Sequence, residues 1–253
     1  SFVGSGSPTP FPNTILDNGN KHVPWEGDLQ VGPHTVTFTS FHRLGGTTTL
    51  GGGTIAASGL AILGLLEGSG GLRSNNGSGY SNGGVVSPGG AARGEIVCDG
   101  EFRNVFLPII GFDPGTLELQ IGGDQGEEND VLRLINGSVR LGGTLRVGTF
   151  GLAPDPNYEY RIIIAENGLI EGQFDNVELP PGMTLEYRSD EVVILGFCFA
   201  DFNQDGGIDG ADVDAFFAAW EAGDTDADVN ADGGIDGGDV EAFFAAWEAG
   251  GCF

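Results

Sequence analysis

Oxygen-bearing side chains fall at positions 1, 3, 5, 9 and 12 of two segments near the carboxyl end. They are Asp201, Asn203, Asp205, Asp209 and Asp212, then Asp228, Asn230, Asp232, Asp236 and Asp239. This is the spacing of an oxygen cage for a hard cation, calcium in particular. Glycine at position 6, Gly206 and Gly233, permits the sharp turn that wraps such a loop, and the carbonyl of position 7, Gly207 and Gly234, supplies a further ligand. Ile208 and Ile235 at position 8 are expected to plug each loop onto a core. Four carboxylates per loop, about 5 Å apart, repel by roughly 1–3 kcal/mol per pair when no cation intervenes. The pattern therefore predicts two bound Ca2+ ions, and loops that are disordered without them. Magnesium suits the pattern less well, because it takes fewer protein ligands in a tighter octahedron.

The elements that must hold these loops follow directly after them. Val213, Phe216, Phe217 and Trp220, matched by Val240, Phe243, Phe244 and Trp247, recur at helical spacing and form one apolar stripe per unit. Asp212 and Asp239 are expected to start the helices, and Gly223 and Gly250 to end them. Neither loop has an entering helix: residues 192–197 read as strand, and residues 224–227 are too short to be helical. In this the units differ from an ordinary EF-hand and resemble the dockerin family, in which two loop–helix repeats pack as a pseudo-symmetric pair with Asp at position 12. The resemblance covers residues 199–253 and implies a small α-helical calcium-binding domain. Well-studied dockerins read their cohesin receptors with hydroxyl residues at positions 10 and 11 and basic residues further along the helix. Here Gly210-Ala211 and Gly237-Gly238 stand at the first places, and Phe217-Ala218 and Phe244-Ala245 at the second, which argues against docking of the cellulosome type. A dockerin-like fold also brings its termini together, which implies a Cys198–Cys252 disulfide; closing that loop would contribute about 4 kcal/mol in the chain-entropy model. Cys98 is left over, either a buried small hydrophobe or a partner in an intermolecular disulfide.

The chain carries 36 acidic and 10 basic residues, and residues 199–253 hold 14 of the acidic ones and none of the basic. Both parts are acidic, so nucleic-acid binding is not expected, since phosphate neutralisation needs Lys and Arg. The longest apolar run, residues 60–66, is too short to span a bilayer, and no membrane insertion is expected. The chain begins at Ser1 without methionine and reads as a mature secreted product, extracellular or at the cell surface, where calcium is millimolar.

Upstream, glycine governs the pattern. Gly-Gly steps at 45–46, 51–53, 70–71, 83–84, 89–90, 122–123 and 142–143 punctuate short apolar or alternating runs at 35–39, 54–56, 60–66, 95–98, 117–121 and 160–164. These runs read as strands between tight corners. Residues 21–197 are thus expected to be mainly β, a Gly-rich parallel β-solenoid, with a β-sandwich as the alternative. From about residue 115 to 197, the runs 117–123, 130–134, 137–147, 170–180, 185–187 and 192–195 resemble the closing rungs of autotransporter-passenger-type β-solenoids. That resemblance implies architecture and surface exposure and no reaction. Residues 1–20, rich in Pro, Gly and apolar side chains, read as an extension that is flexible alone and suited to lie on a neighbouring subunit.

Three functional classes remain open. His22, His34 and His42 are scattered, and no nucleophile motif, nucleotide loop or HExxH accompanies them, so no catalytic residue is assigned. Asp124, Glu127, Glu128 and Asp130 beside Arg133, Arg140 and Arg146 would suit a β-solenoid acting on, or binding, acidic polysaccharide, although an acidic turn followed by exposed polar strand faces is the favoured account of them. The calcium units, whose helices carry Asp214, Glu221, Glu241 and Glu248, could instead anchor the protein to a cell-surface receptor through basic or calcium-bridged contacts. The expectation favoured here is a non-catalytic secreted structural protein whose partners are other copies of itself, assembled as a filament, sheath or surface layer.

Overall fold

The computed structural model describes residues 14–16, 27–75, 79–105, 113–122, 129–150, 158–180, 183–196, 199–203, 205, 207–230 and 233–249. They form a mainly β region with a curled sheet, followed by two helices.

Short apolar runs interrupted by glycine can neither form long strands nor cover their own inner faces, so each strand takes its neighbours from distant parts of the chain. Three ladders result. The first holds Leu29–Val31 (β2), the front of Thr47–Ala57 (β5) and of Leu65–Ser74 (β7), Val85–Pro88 (β9), Thr116–Ile121 (β12), Thr144–Thr149 (β15) and Asn176–Glu178 (β18). The second holds Thr14–Leu16 (β1), Thr35–Phe38 (β3), the rear of β5 and β7, Glu95–Asp99 (β10), Val131–Asn136 (β13) and Glu159–Ala165 (β16). The third holds Phe41–Leu44 (β4), Gly59–Ile62 (β6), Tyr80–Asn82 (β8), Phe102–Arg103 (β11), Val139–Leu141 (β14) and Ile170–Gly172 (β17). Pairing within these ladders is parallel. The second ladder then continues in antiparallel fashion, with Glu191–Gly196 (β20) on β16 and Met183–Tyr187 (β19) on β20, so the sheet as a whole is mixed. Because β5 and β7 run through two ladders, the first two form one 14-stranded curled sheet, and the third is a separate sheet of 6 strands.

Register stacks like on like. Leu66, Val86, Leu117 and Leu145 form one inward column, and Ile55, Leu72, Cys98, Leu134 and Ala165 another. Cys98 is therefore a buried core residue, and burial pushes its thiol pKa up. The steps between partners vary, from Leu60 against Tyr80 to Phe102 against Val139, because loops of different length leave the ladders between strands.

Glycine is obligatory at one corner, where segments of backbone stack closely on one another. A Cβ on Gly64 would lie 2.2 Å from the Gly46 carbonyl oxygen, on Gly84 2.1 Å from that of Gly64, and on Gly115 2.3 Å from that of Gly84. Those carbonyls accept backbone N–H bonds from Leu65, Val85 and Thr116 respectively. Buried Asn82 and Asn104 line the same corner, each accepting from a glycine N–H, with Asn82 donating to the Thr116 carbonyl and Asn104 to those of Gly115 and Gly142.

The expected strands at 54–56, 95–98, 117–121 and 160–164 are present within β5, β10, β12 and β16, and that at 35–39 is present as β3, one residue shorter. The run 60–66 is not one strand. It turns the corner at Leu63-Gly64, ending β6 and starting β7, and stays apolar because side chains on both sides of the corner face the interior. In the carboxyl-terminal part, Gly210–Ala222 (α1) and Gly237–Ala249 (α2) pack around Phe216 and Phe243, and their apolar cluster is separate from that of the strands.

Candidate metal sites

Each predicted loop leads straight into its helix, and the two units repeat one another's contacts. Helix α1 begins at Gly210, two residues before the expected start. Asp209 is its N-cap, accepting from the Ala211 N–H at 2.8 Å, and Asp212 in the first turn accepts from the Asp209 N–H at 2.8 Å, a capping box made of two aspartates. The second unit does the same: Asp236 accepts from Gly238 N–H and Asp239 accepts from Asp236 N–H, both at 2.8 Å. Gly223 closes α1 in the left-handed conformation at φ 68°. Residues 225–227, expected to be non-helical, form a single 3-10 turn capped by Asp224. Gly250, Cys198 and Cys252 lie outside the described residues, and the expected disulfide with them.

The position-12 carboxylates are the focus of each loop. Asp212 and Asp239 are both fully buried. Their second oxygens accept the backbone N–H of position 3, Asn203 at 3.1 Å and Asn230 at 3.3 Å, which draws the start of the loop onto the start of the helix. Within the first loop, the Asp205 N–H donates to Asp201 and Asn203, and the Gly207 N–H donates to Asp205. In the second loop, the Gly233 N–H donates to Asp228. Asp232 and Gly206 lie outside the described residues. Among the described residues, no group of three or more His, Cys, Asp or Glu side chains is gathered closely enough to hold a metal ion. At positions 1, 3, 5, 9 and 12 of these loops the side-chain donors are oxygen, apart from the amide nitrogens of Asn203 and Asn230. No Lys, Arg or His occurs in residues 199–253, so the buried carboxylates have no cationic side chain within their own segment. A hard cation fits that donor set.

The core behind the loops is aromatic. Phe216 and Phe243 stack with ring centroids 4.3 Å apart and planes 1° from parallel, and Phe202 meets both edge-on. Ile235 packs against this cluster, as expected of a loop plug. The two tryptophans do more than fill the stripe. Trp220 on α1 donates its indole N–H to the Asp236 carbonyl of the second loop at 3.1 Å, and Trp247 on α2 donates to the Asp209 carbonyl of the first at 3.0 Å. Helical spacing marks these residues as apolar; the readable signal for the bonds was a tryptophan at the same place in both repeats, whose N–H needs a partner when half-buried. Asp214, Glu221, Glu241 and Glu248 are exposed.

The polysaccharide candidates are arranged differently from a catalytic cluster. Arg133 pairs with Glu95 and Glu166 at 2.5 and 3.1 Å, Arg140 with Glu101 and Glu171 at 2.9 and 3.4 Å, and Arg146 with Glu178 and Glu118 at 2.8 and 3.5 Å. These are cross-strand ladders on polar sheet faces. Asp124, Glu127 and Glu128 lie outside the described residues. Asp130 is fully buried, with one oxygen accepting the Gly94 N–H at 2.8 Å and the other the Gln120 N–H at 2.9 Å. Burial raises its pKa to about 7, against those two bonds, which lower it. His42 is buried against Phe38, its Nδ1 3.1 Å from the Ser40 carbonyl oxygen, whereas His34 is exposed; His22 lies outside the described residues. No helix among the described residues is long and apolar enough to cross a membrane.

Comparison with known protein families finds none that matches the chain, and comparison with curated proteins finds no similar sequence.

Proposed function

We propose that the chain is a secreted, non-catalytic structural protein in which a coiled β-solenoid is followed by a dockerin-like pair of calcium units, and that copies of it assemble into an extracellular filament, sheath or surface layer. The observation that carries this reading is the pair of fully buried carboxylates, Asp212 and Asp239, each gathering loop backbone N–H groups in a segment without one basic residue. Asp201, Asn203, Asp205, Asp209, Asp212 and the Gly207 carbonyl would hold one ion. Asp228, Asn230, Asp232, Asp236, Asp239 and the Gly234 carbonyl would hold the other. Calcium, when bound, supplies the positive charge that this segment lacks. The chain's own part is to fold each loop so that position 12 anchors both the loop's start and its helix.

The solenoid reading is supported by the three parallel ladders and the stacked glycine corner. Self-association is supported by the end of the ladders. Strand β18 has a strand partner on one flank only among the described residues, and Val177, an exposed large apolar side chain, lies on it. An unpaired strand edge with apolar side chains is a template for another chain. Calorimetric titration of the full chain is expected to find two calcium ions per molecule, and light scattering with electron microscopy to find ordered assemblies that require calcium. Loops that stay empty at millimolar calcium would overturn the metal reading, and a chain that stays monomeric at high concentration with calcium would overturn the assembly.

A further inference from the structure

We propose that Trp220 and Trp247 are positioning residues that couple the two loops, so that an ion held in one loop pre-forms the other. The inference rests on the calcium reading above. The geometry is reciprocal: the helix leaving the first loop holds position 9 of the second through Trp220, and the helix leaving the second holds position 9 of the first through Trp247.

Position 9 is where such a contact matters. The Asp209 N–H donates to the Asp212 carboxylate, its side chain caps α1, and its carbonyl accepts from Trp247. Asp236 makes the same three bonds, to Asp239, α2 and Trp220. One residue thus joins the position-12 ligand of its own loop to the helix of the other. Between the helices, the parallel Phe216–Phe243 stack and the Phe217–Phe244 contact at 6.2 Å resist sliding of one unit against the other. Each tryptophan is also fixed edge-on by the phenylalanine three residues earlier, at 6.4 Å in the first unit and 6.2 Å in the second, with planes 80° apart in both. Ordering the first loop holds Asp212 and the start of α1, and with them Trp220 and the Asp236 peptide. The second ion then finds a loop whose ordering has already been partly met, which is positive coupling carried by conformational entropy.

One hydrogen bond of this kind corresponds to about a three- to tenfold change in affinity. The experiment is calcium titration calorimetry on the full chain, in single-loop backgrounds made by Asp205→Ala, which disables the first loop, or Asp228→Ala, which disables the second. Phenylalanine keeps an aromatic ring in the stripe and removes the indole N–H together with part of the ring. In the Asp205→Ala chain, Trp220→Phe is expected to weaken the remaining site about three- to tenfold while Trp247→Phe leaves it nearly unchanged; in the Asp228→Ala chain the two roles exchange. A merely structural tryptophan would weaken both sites alike, and that result overturns the inference. Should a single-loop chain lose its helices by circular dichroism, the two-loop protein is read instead: the second stepwise constant is expected to exceed its statistical value, and the Trp220→Phe/Trp247→Phe chain to return it there. Two ions bound without coupling in the unaltered protein overturn the inference alone, whereas no bound calcium at all overturns the metal reading and the coupling with it.

Discussion

In the β region, Arg133 lies between Glu95 and Glu166, Arg140 between Glu101 and Glu171, and Arg146 between Glu118 and Glu178; in residues 199–253, 14 acidic side chains have no basic one among them. The first region carries counter-charges at its surface and fills its interior with apolar columns. The second buries two carboxylates against backbone N–H groups and packs a far smaller core around one phenylalanine stack. The difference teaches that the same chain contains a part whose folding is limited by how closely backbones can stack, and a part whose folding is limited by charge. Perturbations should therefore sort by region: steric changes should break the first, and electrostatic changes the second.

The largest effect is expected at the glycine corner. Gly84→Val would place a Cβ 2.1 Å from the Gly64 carbonyl oxygen and 2.6 Å from the Leu63 carbonyl carbon, both backbone atoms that cannot rotate away. A loss of about 3 kcal/mol is expected, the upper part of the usual range for overpacking. Denaturant melting followed by far-ultraviolet circular dichroism should show the β transition move while that of the helix pair stays. If both transitions move together, the two regions are one cooperative unit and the comparison fails.

Next comes Asp212→Ala, which removes a capping-box partner and leaves the N–H groups of Asn203 and Asp209 without their acceptor. Roughly 2 kcal/mol is expected, from one lost cap and partly buried donors left without their acceptor. The readout is tryptophan fluorescence, since Trp247 is hydrogen-bonded to the Asp209 carbonyl. Unaltered fluorescence and helicity would show that the loop does not depend on its position-12 carboxylate.

Asp130 departs from this division, a buried carboxylate inside the β region. Burial lifts its folded pKa to about 7, well above the usual carboxylate range of about 4 in an unfolded chain. The folded state therefore holds the proton more tightly than the unfolded one. Its contribution is fully present below about pH 4 and is lost as pH rises toward 7, after which the dependence flattens. Asp130→Asn should abolish that slope, whatever its absolute stability, because the amide does not titrate. Denaturation midpoints between pH 4 and 8 measure it, and an unchanged slope would mean that another group is responsible.

What was legible in the sequence divides along the same line. Local pattern was enough for β12, where Leu117, Leu119 and Ile121 alternate with polar neighbours, and for the helical stripes through Phe216 and Phe243. It was not enough where a long-range partner decides the outcome. Asp130 sits next to an acidic turn and so looks solvated, yet its oxygens are claimed by N–H groups of Gly94 and Gln120. The corner at Leu63-Gly64 is hidden inside an apolar run because both flanking strands face one interior. The start of α1 lies two residues before the expected Asp212 because Asp209 and Asp212 are both good caps, and only the backbone decides between them. Strand direction is a further case: nothing local to residues 183–196 distinguishes the antiparallel β19–β20 pair from strands that pair in parallel.

The smallest effect is expected from the surface ladders, and it tests whether the β region is indifferent to its charges. Arg133 bridges Glu95 and Glu166 with its side chain about a third exposed, so water screens both pairs. Arg133→Gln should cost no more than about 1 kcal/mol, since exposed ion pairs gain little over their hydrated, unordered side chains. The loss should shrink further in 1 M salt, where charges are screened beyond about 3 Å. Chemical denaturation with urea, which is uncharged, at low and high salt separates the two contributions. A loss near 3 kcal/mol that vanished in salt would place the β region under the same electrostatic control as the helix pair. A small loss leaves its stability with the stacked backbones and the apolar columns between them.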